Sequence, residues 1–442
     1  MIDSRRHHIL AIGGGWYAIY DTQTAFTSLC QAETEEDIDF QDLARLDDED
    51  DGLAVAEPFD SRIPFATWVL NVTDSCNLRC EYCSRYQTNY RGVKMDSNVI
   101  LSTLRKASAY GQSIDSKVVV QFHGGEPLLV ADTIFSSLGR LTVTEKSWLD
   151  LRIQTNGLLL NDRLIDLCNT NEIHIGISID GPPEINGINR RFSDGSPVGS
   201  ILTDMLGLLR RSIKRSHISC LCVMSASNIH SADIVFDYIL DQGIDDVSIL
   251  PLYPDYASCL AGCTNIIPRT KEMVSFSSAV YDNWLHRMKR GEKICMPSFQ
   301  IWFWNFLNSN ARHVLHKSCC GVGESMIFID TDGSIYPCGP FSYENRMSMG
   351  NITSAEVHEI GSSAVHCEFC LRSANHIPEC NLCAIQAVCR SGCPANSYLK
   401  TKSIYTKDPF CDYWQGIISH VLLSIAKEPE ICEIVPHYSI RL

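Results

Sequence analysis

Thr67-Trp-Val-Leu-Asn-Val-Thr73, followed after Asp74 and Ser75 by Cys76-Asn-Leu-Arg-Cys80-Glu-Tyr-Cys83, decides how the rest of this chain reads. An apolar, β-branched run of that length predicts a buried strand, and the cysteines put three thiols on one tight loop at its end. C-x3-C-x2-C spacing suits one face of a cubane iron–sulfur cluster. A closed cubane takes four thiolates, so one iron is left for another ligand. A zinc knuckle would instead be built from paired C-x2-C units, and core cysteines have no reason to crowd one loop.

From Thr67 onward strand-like and helix-like stretches alternate, the pattern of parallel βα units. Strands are expected at Trp68–Val72, Lys117–Phe122, Leu151–Gln154, His174–Ile179, Ile218–Val223 and Asp246–Leu250. Such units predict an α/β fold, a partial (β/α)6 TIM-like barrel with its site on the loops at the carboxyl ends of the strands. Polar clusters fall there: Phe122-His-Gly-Gly-Glu-Pro127, Gln154-Thr-Asn-Gly157 and Ser178-Ile-Asp-Gly-Pro182. In the first, two glycines let the backbone approach a ligand closely and Glu126 offers a carboxylate. Arg190 and Arg191 follow, either as site cations or as solvated loop charges.

Residues 1–66 predict an N-terminal β-hairpin or meander, from His8–Ile12 and Trp16–Tyr20 into Ala25-Phe-Thr-Ser-Leu29, then an acidic linker containing Asp47-Asp-Glu-Asp-Asp51. An exposed hairpin edge accepts an extended peptide as an added strand, so this segment is a possible peptide-docking element as well as a solubilising arm. Residues 67–300 are read as the barrel. Residues 301–442 hold the aromatic helix Ile301-Trp-Phe-Trp-Asn-Phe-Leu307 and a cysteine-rich domain. There Cys320 and Cys338 flank a hairpin turning at Asp332-Gly333, and Cys380-x2-Cys383-x5-Cys389-x3-Cys393 and Cys411 follow. Seven ligands do not divide into the fours of zinc. Cys220 and Cys222 alternate on a strand and read as packing, while Cys259 and Cys263 lie on the loop after the sixth strand.

A chain of 442 residues is long enough for two or three domains. Its net charge of −15 argues against nucleic acid as a partner. No run approaches the ~20 apolar residues of a membrane span. The 21 cysteines, many at metal-ligand spacings, fit a reducing compartment and so a cytoplasmic protein. Ser4-Arg5-Arg6 looks like part of an export signal, but Ile9-Leu-Ala-Ile12 is broken by Gly13-Gly-Gly15.

The Cys76, Cys80 and Cys83 loop, with Tyr82 before its third cysteine, resembles the signature of the radical S-adenosylmethionine (SAM) enzymes, and Gly124-Gly-Glu126 resembles their GGE motif. The later cysteines resemble the SPASM domain, and the resemblance runs roughly from Trp68 to Cys411. It implies that SAM fills the open iron site and is cleaved by an electron from the cluster to a 5′-deoxyadenosyl radical, with the protein positioning cofactor chemistry. It also implies that Gly124, Gly125 and Glu126 contact the methionine end of SAM, that Ser178 meets the ribose, that Asn156 and Asp180 line the site, and that Arg190 or Arg191 stands near the carboxylate. Carried over by position, Cys380, Cys383, Cys389 and Cys411 would close one auxiliary 4Fe–4S cluster. Cys320, Cys338 and Cys393 would hold a second, with Cys319, Cys367, Cys370 or an open iron in the fourth place.

SPASM-containing radical SAM enzymes mostly modify peptides and proteins. The resemblance therefore implies maturation of a ribosomally synthesised precursor peptide carrying a leader, by C–C or thioether crosslinking, with an external electron donor such as flavodoxin or ferredoxin. The alternatives are an anaerobic sulfatase maturase, which generates formylglycine, and another peptide modification such as epimerisation. In sulfatase maturases an aspartate directly follows the cysteine of Tyr-Pro-Cys; here that position is Gly339. No spacing singles out a general base.

Overall fold

The computed structural model describes residues 7–21, 26–38, 65–83, 92–252, 264–307 and 321–435. Ser4–Arg6, Asp47–Asp51, Cys259, Cys263, Cys319 and Cys320 lie outside the described residues. Strands β1 (His7–Gly13), β2 (Trp16–Asp21) and β3 (Phe26–Gln31) form an antiparallel meander in that order. The second sheet contains β4 (Thr67–Thr73), β5 (Val118–Gly124), β6 (Leu149–Thr155), β7 (His174–Ser178), β8 (Ile218–Met224) and β9 (Val247–Pro251). These six are parallel neighbours in sequence order, as βα units require. Between them run α1 (Ser97–Ile114), α2 (Ala131–Gly139), α3 (Asp162–Thr170), α4 (Ser200–Ser212) and α5 (Ala232–Asp241). Side-chain caps start two of these helices: Asp96 accepts from the Asn98 N–H at 2.7 Å, and Asn161 from the Leu164 N–H at 3.1 Å.

Burial alternates with period two along the strands. Val118, Val120 and Phe122 of β5 and Leu149, Leu151 and Ile153 of β6 are buried, whereas Gln121, His123, Asp150, Arg152 and Gln154 between them are half-buried. The apolar set faces the helices, as where Ile177 of β7 and Met205 of α4 converge on Gly157. Each such side chain contributes roughly 1.5–3 kcal/mol on burial, so the helix-facing surface holds the sheet together and frees the inner face to be polar.

Two further strands extend this sheet beside β4: β10 (Met326–Ile329) pairs parallel, Met326 opposite Thr67, and β11 (Ile335–Tyr336) returns antiparallel. The hairpin turns where Gly333 adopts φ +85°, as the Asp-Gly pair predicts. The chain divides into two compact units, one of Ser61–Arg269 and Gly321–Leu371, the other of Met1–Asp60, Thr270–Cys320 and Arg372–Leu442. The first is an α/β TIM-like barrel core. It takes in the β10–β11 hairpin because β10 covers the edge of β4.

The other unit contains α6 (Thr270–Lys289), α7 (Pro297–Leu307) and α8 (Cys411–Lys427). Hydrogen bonds of 2.9 Å between Ser277 and Tyr413 and 2.5 Å between Tyr281 and Ser424 tie α6 to α8, and the β1–β3 meander packs on α8 as well. The aromatic helix α7 buries Phe299, Trp302, Phe303 and Trp304, and its Asn305 amide donates to Val388 O at 2.9 Å. No described helix is long and apolar enough to cross a membrane.

Candidate functional site

β4 delivers the chain to Asp74, and the cysteine loop beyond it is held by backbone from two later loops. On one side the Gly125 N–H donates to Thr73 O at 2.7 Å and the Glu126 N–H to Ser75 O at 2.8 Å. On the other the Arg79 N–H donates to Arg191 O at 2.8 Å and the Glu81 N–H to Asn189 O at 3.0 Å. The glycines are needed for this approach: a Cβ on Gly124 would lie 2.3 Å from Thr73 O, and one on Gly125 2.2 Å from Ser75 O. Gly124 also has φ +143°, in the region that favours glycine. What presses on the pair is thus the chain's own backbone, where the sequence suggested a ligand.

Glu126 is buried, and its carboxylate is spent on the neighbouring strand tip. Oε1 accepts from Thr155 Oγ1 at 2.5 Å and from the Leu128 N–H at 3.0 Å, and Oε2 accepts from the Asn156 N–H at 2.8 Å. Burial raises its pKa, against the pull of these bonds. Asn156, so placed, reaches back to the cysteine loop, donating to Asn77 Oδ1 at 2.8 Å with its amide 3.9 Å from Cys76 Sγ. Ser178 accepts from Gln154 at 3.1 Å on the inner face.

Tyr82 joins the loop to the fourth and fifth strand ends. Its hydroxyl donates to Asp180 Oδ2 at 2.5 Å and accepts from Arg190 Nη1 at 2.6 Å, while Arg190 and Asp180 stand 3.9 Å apart. Asp180 is further fixed by the Val223 N–H at 2.9 Å. Burial raises the pKa of both Asp180 and Tyr82. It opposes the charge on Arg190 too, but the acidic groups around that guanidinium more than offset it. Of the two candidate arginines, Arg190 is therefore the buried one; Arg191 caps its own turn through Ile188 O and Gly195 O.

Burial pushes the thiols of Cys76 and Cys80 up to about 12 and about 11. They give up protons readily only to a bound cation. Among the described residues no three His, Cys, Asp or Glu side chains converge on a single ion. A cubane asks for something different, one thiolate per iron arranged around the cluster. The all-sulfur donor set on one loop, with the Leu78 N–H 3.4 Å from Cys76 Sγ, fits such a cluster.

In the other unit Cys380, Cys383, Cys389 and Cys411 line one recess with Lys407, Asp408 and Trp414. This is the first auxiliary set expected from the sequence. Burial pushes Cys380 up to about 12 and raises Cys383 and Cys411. Asp408, which the sequence reading passed over, organises the recess. Its Oδ2 accepts from the Cys393 N–H at 2.7 Å and Trp414 Nε1 at 2.9 Å, its Oδ1 from the Phe410 N–H at 2.8 Å, and its carbonyl from the Cys411 N–H at 3.0 Å. The signal available was an Asp-Pro placed just ahead of a helix. Of the second expected set, Cys320 lies outside the described residues, Cys338 belongs to the barrel unit and Cys393 to the other. Cys367 and Cys370 are exposed on the helix Ala364–Leu371, with Cys370 Sγ 3.3 Å from His366 Nε2.

Residues 70–230 match the Radical SAM superfamily model, and residues 319–384 match SPASM, an iron-sulfur cluster-binding domain. The cysteine-type anaerobic sulfatase-maturating enzyme of Clostridium perfringens (strain ATCC 13124) is 23% identical over 81% of this chain and 96% of its own length. The serine-type enzyme of Klebsiella aerogenes is 24% identical over 77% and 82%. Among solved structures, native anSMEcpe with bound AdoMet superposes with TM-score 0.67 at 20% identity, covering 82% of this chain and 99% of that one. Streptococcus suis SuiB bound to precursor peptide SuiA gives 0.57 at 14% identity, covering 93% and 99%. The cofactors that go with the matched domains are 4Fe–4S clusters and SAM. The chain carries a Radical SAM superfamily domain over residues 70–230 and, after it in sequence, a SPASM domain over residues 319–384.

Proposed function

We propose that this enzyme matures a ribosomally synthesised precursor peptide, forming a C–C or thioether bond within it. The observation that carries the reading is the pairing, in one chain, of a three-thiol loop pinned beside the Asn156 and Ser178 strand tips with a separate four-thiol recess. Bound at the loop, the cluster and SAM supply a radical able to take a hydrogen atom from a substrate carbon. Tyr82, Asp180 and Arg190 hold the loop's third-cysteine end, and Glu126 aims Asn156 at its first. Oxidative crosslinking releases an electron, for which a closed four-thiol cluster site is suited. An external donor of the flavodoxin or ferredoxin type starts the cycle. Among the described residues strands β1 and β3 each pair on one side only, which supports leader docking by strand addition within residues 1–66. The coverage of 93% of this chain by SuiB, a protein solved with a precursor peptide, points the same way.

The sulfatase-maturating relatives favour a second reading, formylglycine formation in a target protein. Gly339 weighs against it, standing where those enzymes carry an aspartate. Co-expression with the peptide encoded beside the gene, followed by mass spectrometry and treatment with a hydrazide, separates the two. Loss of two hydrogens without a hydrazide adduct supports crosslinking; an aldehyde captured on a sulfatase-derived peptide replaces it with the second reading.

A further inference from the structure

Lys407-Asp408-Pro409-Phe410-Cys411 leads the chain into α8, and Asp408 fixes the shape of this turn. Its carboxylate accepts from the Phe410 N–H at 2.8 Å and its carbonyl from the Cys411 N–H at 3.0 Å. Folded in this way, the turn sets Lys407 in the wall of the recess that Cys380, Cys383, Cys389 and Cys411 line. Glu379 and Asp408 are the carboxylates of the same wall, and Lys407 is its cation. All of these residues belong to the unit that contains Arg372–Leu442.

Lys407 forms an ion pair with Asp412 at 3.8 Å, but the two side chains are 43% and 82% exposed, so water screens this contact heavily. The thiols draw on the ammonium more. The negative charge of Cys411 does most to raise the pKa of Lys407, with Asp412 and Cys380 adding to it against burial. Burial raises the Cys411 thiol, and Lys407 is the largest influence pulling it back; at Cys383, where burial also dominates, Lys407 acts in the same sense. One ammonium therefore acts on three of the four thiols. Arg372, the other cation that acts on Cys380, is buried and donates to Ile404 O and to Ser391.

The donor set of this recess, four sulfurs and no other ligand type, fits a closed 4Fe–4S cluster. Four thiolates bring four negative charges, and an electron taken up adds one more. A cation held beside them favours the reduced form, because it attracts the larger charge more strongly. Net charge, hydrogen bonds to sulfur and solvent exposure are what set the potential of such a cluster.

We propose that Lys407 is a positioning residue for electron transfer, raising the reduction potential of the cluster held by Cys380, Cys383, Cys389 and Cys411 so that it accepts the electron released by crosslinking. The source of that electron rests on the function proposed above; the effect of the charge rests on the recess. In the step served, a substrate carbon radical bonds to a second substrate atom, that atom gives its proton to water, and the remaining electron enters the cluster.

The test is a potentiometric titration of the reconstituted full chain followed by electron paramagnetic resonance. The signal missing from Cys383→Ala identifies the recess cluster. Lys407→Met is expected to keep its iron and to lower the midpoint of that signal, leaving about tenfold less of the cluster reduced at a given solution potential, ~59 mV for one electron. Lys407→Arg, which keeps the charge, should stay near the wild-type midpoint, and Asp412→Asn should move it the other way. Because the ammonium is half-exposed, the Lys407→Met shift should shrink in 1 M salt, where the Debye length is about 3 Å. An unmoved midpoint in iron-replete Lys407→Met, or a midpoint that falls equally in Lys407→Arg, would overturn the inference. Loss of iron from the recess in Lys407→Met would overturn it too, since Lys407 would then be a structural support. An iron content that does not fall in Cys383→Ala would remove the ligand set and the inference together. Crosslinking of the peptide is a separate readout: a shifted midpoint without any crosslink supports the effect of Lys407 and removes the proposed function.

Discussion

The loop of Cys76, Cys80 and Cys83 and the recess of Cys380, Cys383, Cys389 and Cys411 use the same donor atom but are held in place by different means. The loop brings three thiols, and its position is set from outside by backbone bonds from the Gly125 turn and the 189–191 segment, far away in sequence. The recess brings four, drawn from a short stretch of chain around one carboxylate, Asp408. A site that must keep one coordination place for an exchangeable ligand cannot be closed by its own ligands, so the rest of the barrel has to define it. On the proposed function the recess carries electrons, a task suited to a site that closes on itself and is supported locally.

Exchanging the thiols gives the largest effects and separates the two sites most directly. Cys80→Ala should abolish 5′-deoxyadenosine formation in reduced, reconstituted protein and lower bound iron by about four atoms, one cubane. Cys383→Ala should lose a similar amount of iron yet still cleave SAM, because on the proposed function its recess serves electron transfer and the Cys76 loop holds the cosubstrate. Loss of cleavage in folded Cys383→Ala protein would break the distinction.

Gly125→Ala tests whether the loop really is positioned from outside. Its Cβ would meet Ser75 O at 2.2 Å, and backbone cannot step aside as a side chain can. We expect a cost of about 3 kcal/mol or a displaced loop, read as a lower melting temperature together with much weaker SAM cleavage. Asp408→Ala is the matching test in the recess. It strips acceptors from the Cys393 and Phe410 N–H groups and from the Trp414 indole, costing about 2–3 kcal/mol. Auxiliary iron content should fall while SAM binding is kept; Asp408→Asn, which keeps an acceptor, should fall between.

The contrast also explains what was legible in the sequence. The six strands are found within a few residues of their expected limits, because an apolar run bounded by turn residues is a local signal. That four cysteines would share one recess was equally readable, since they lie close together in the chain. Pairing of β10 with β4 was not, because a parallel neighbour some 250 residues away leaves no mark in either strand. The roles of Gly124 and Gly125 were half legible. A glycine pair announces a close approach without saying whether ligand or backbone makes it.

The smallest effect is expected at Tyr82, and the geometry says why. Tyr82→Phe removes a hydroxyl that donates to Asp180 and accepts from Arg190. Both partners are buried, so leaving either unpaired would cost a few kcal/mol. They already stand 3.9 Å apart, however, and a shift of about an ångström lets them pair directly at a normal charge-assisted distance. The net loss should therefore be about 1 kcal/mol in thermal or denaturant unfolding. The phenol is also the only one of the three groups on the cysteine loop, so the loss should fall on the loop's third-cysteine end: SAM affinity should drop severalfold while auxiliary iron stays unchanged. Arg190→Gln removes the charge that balances buried Asp180 and leaves no direct pair to fall back on, so it should cost more than Tyr82→Phe on both measures. If the two variants lose equal stability, the pair does not re-form, and Tyr82 holds the loop more tightly than its single hydroxyl suggests.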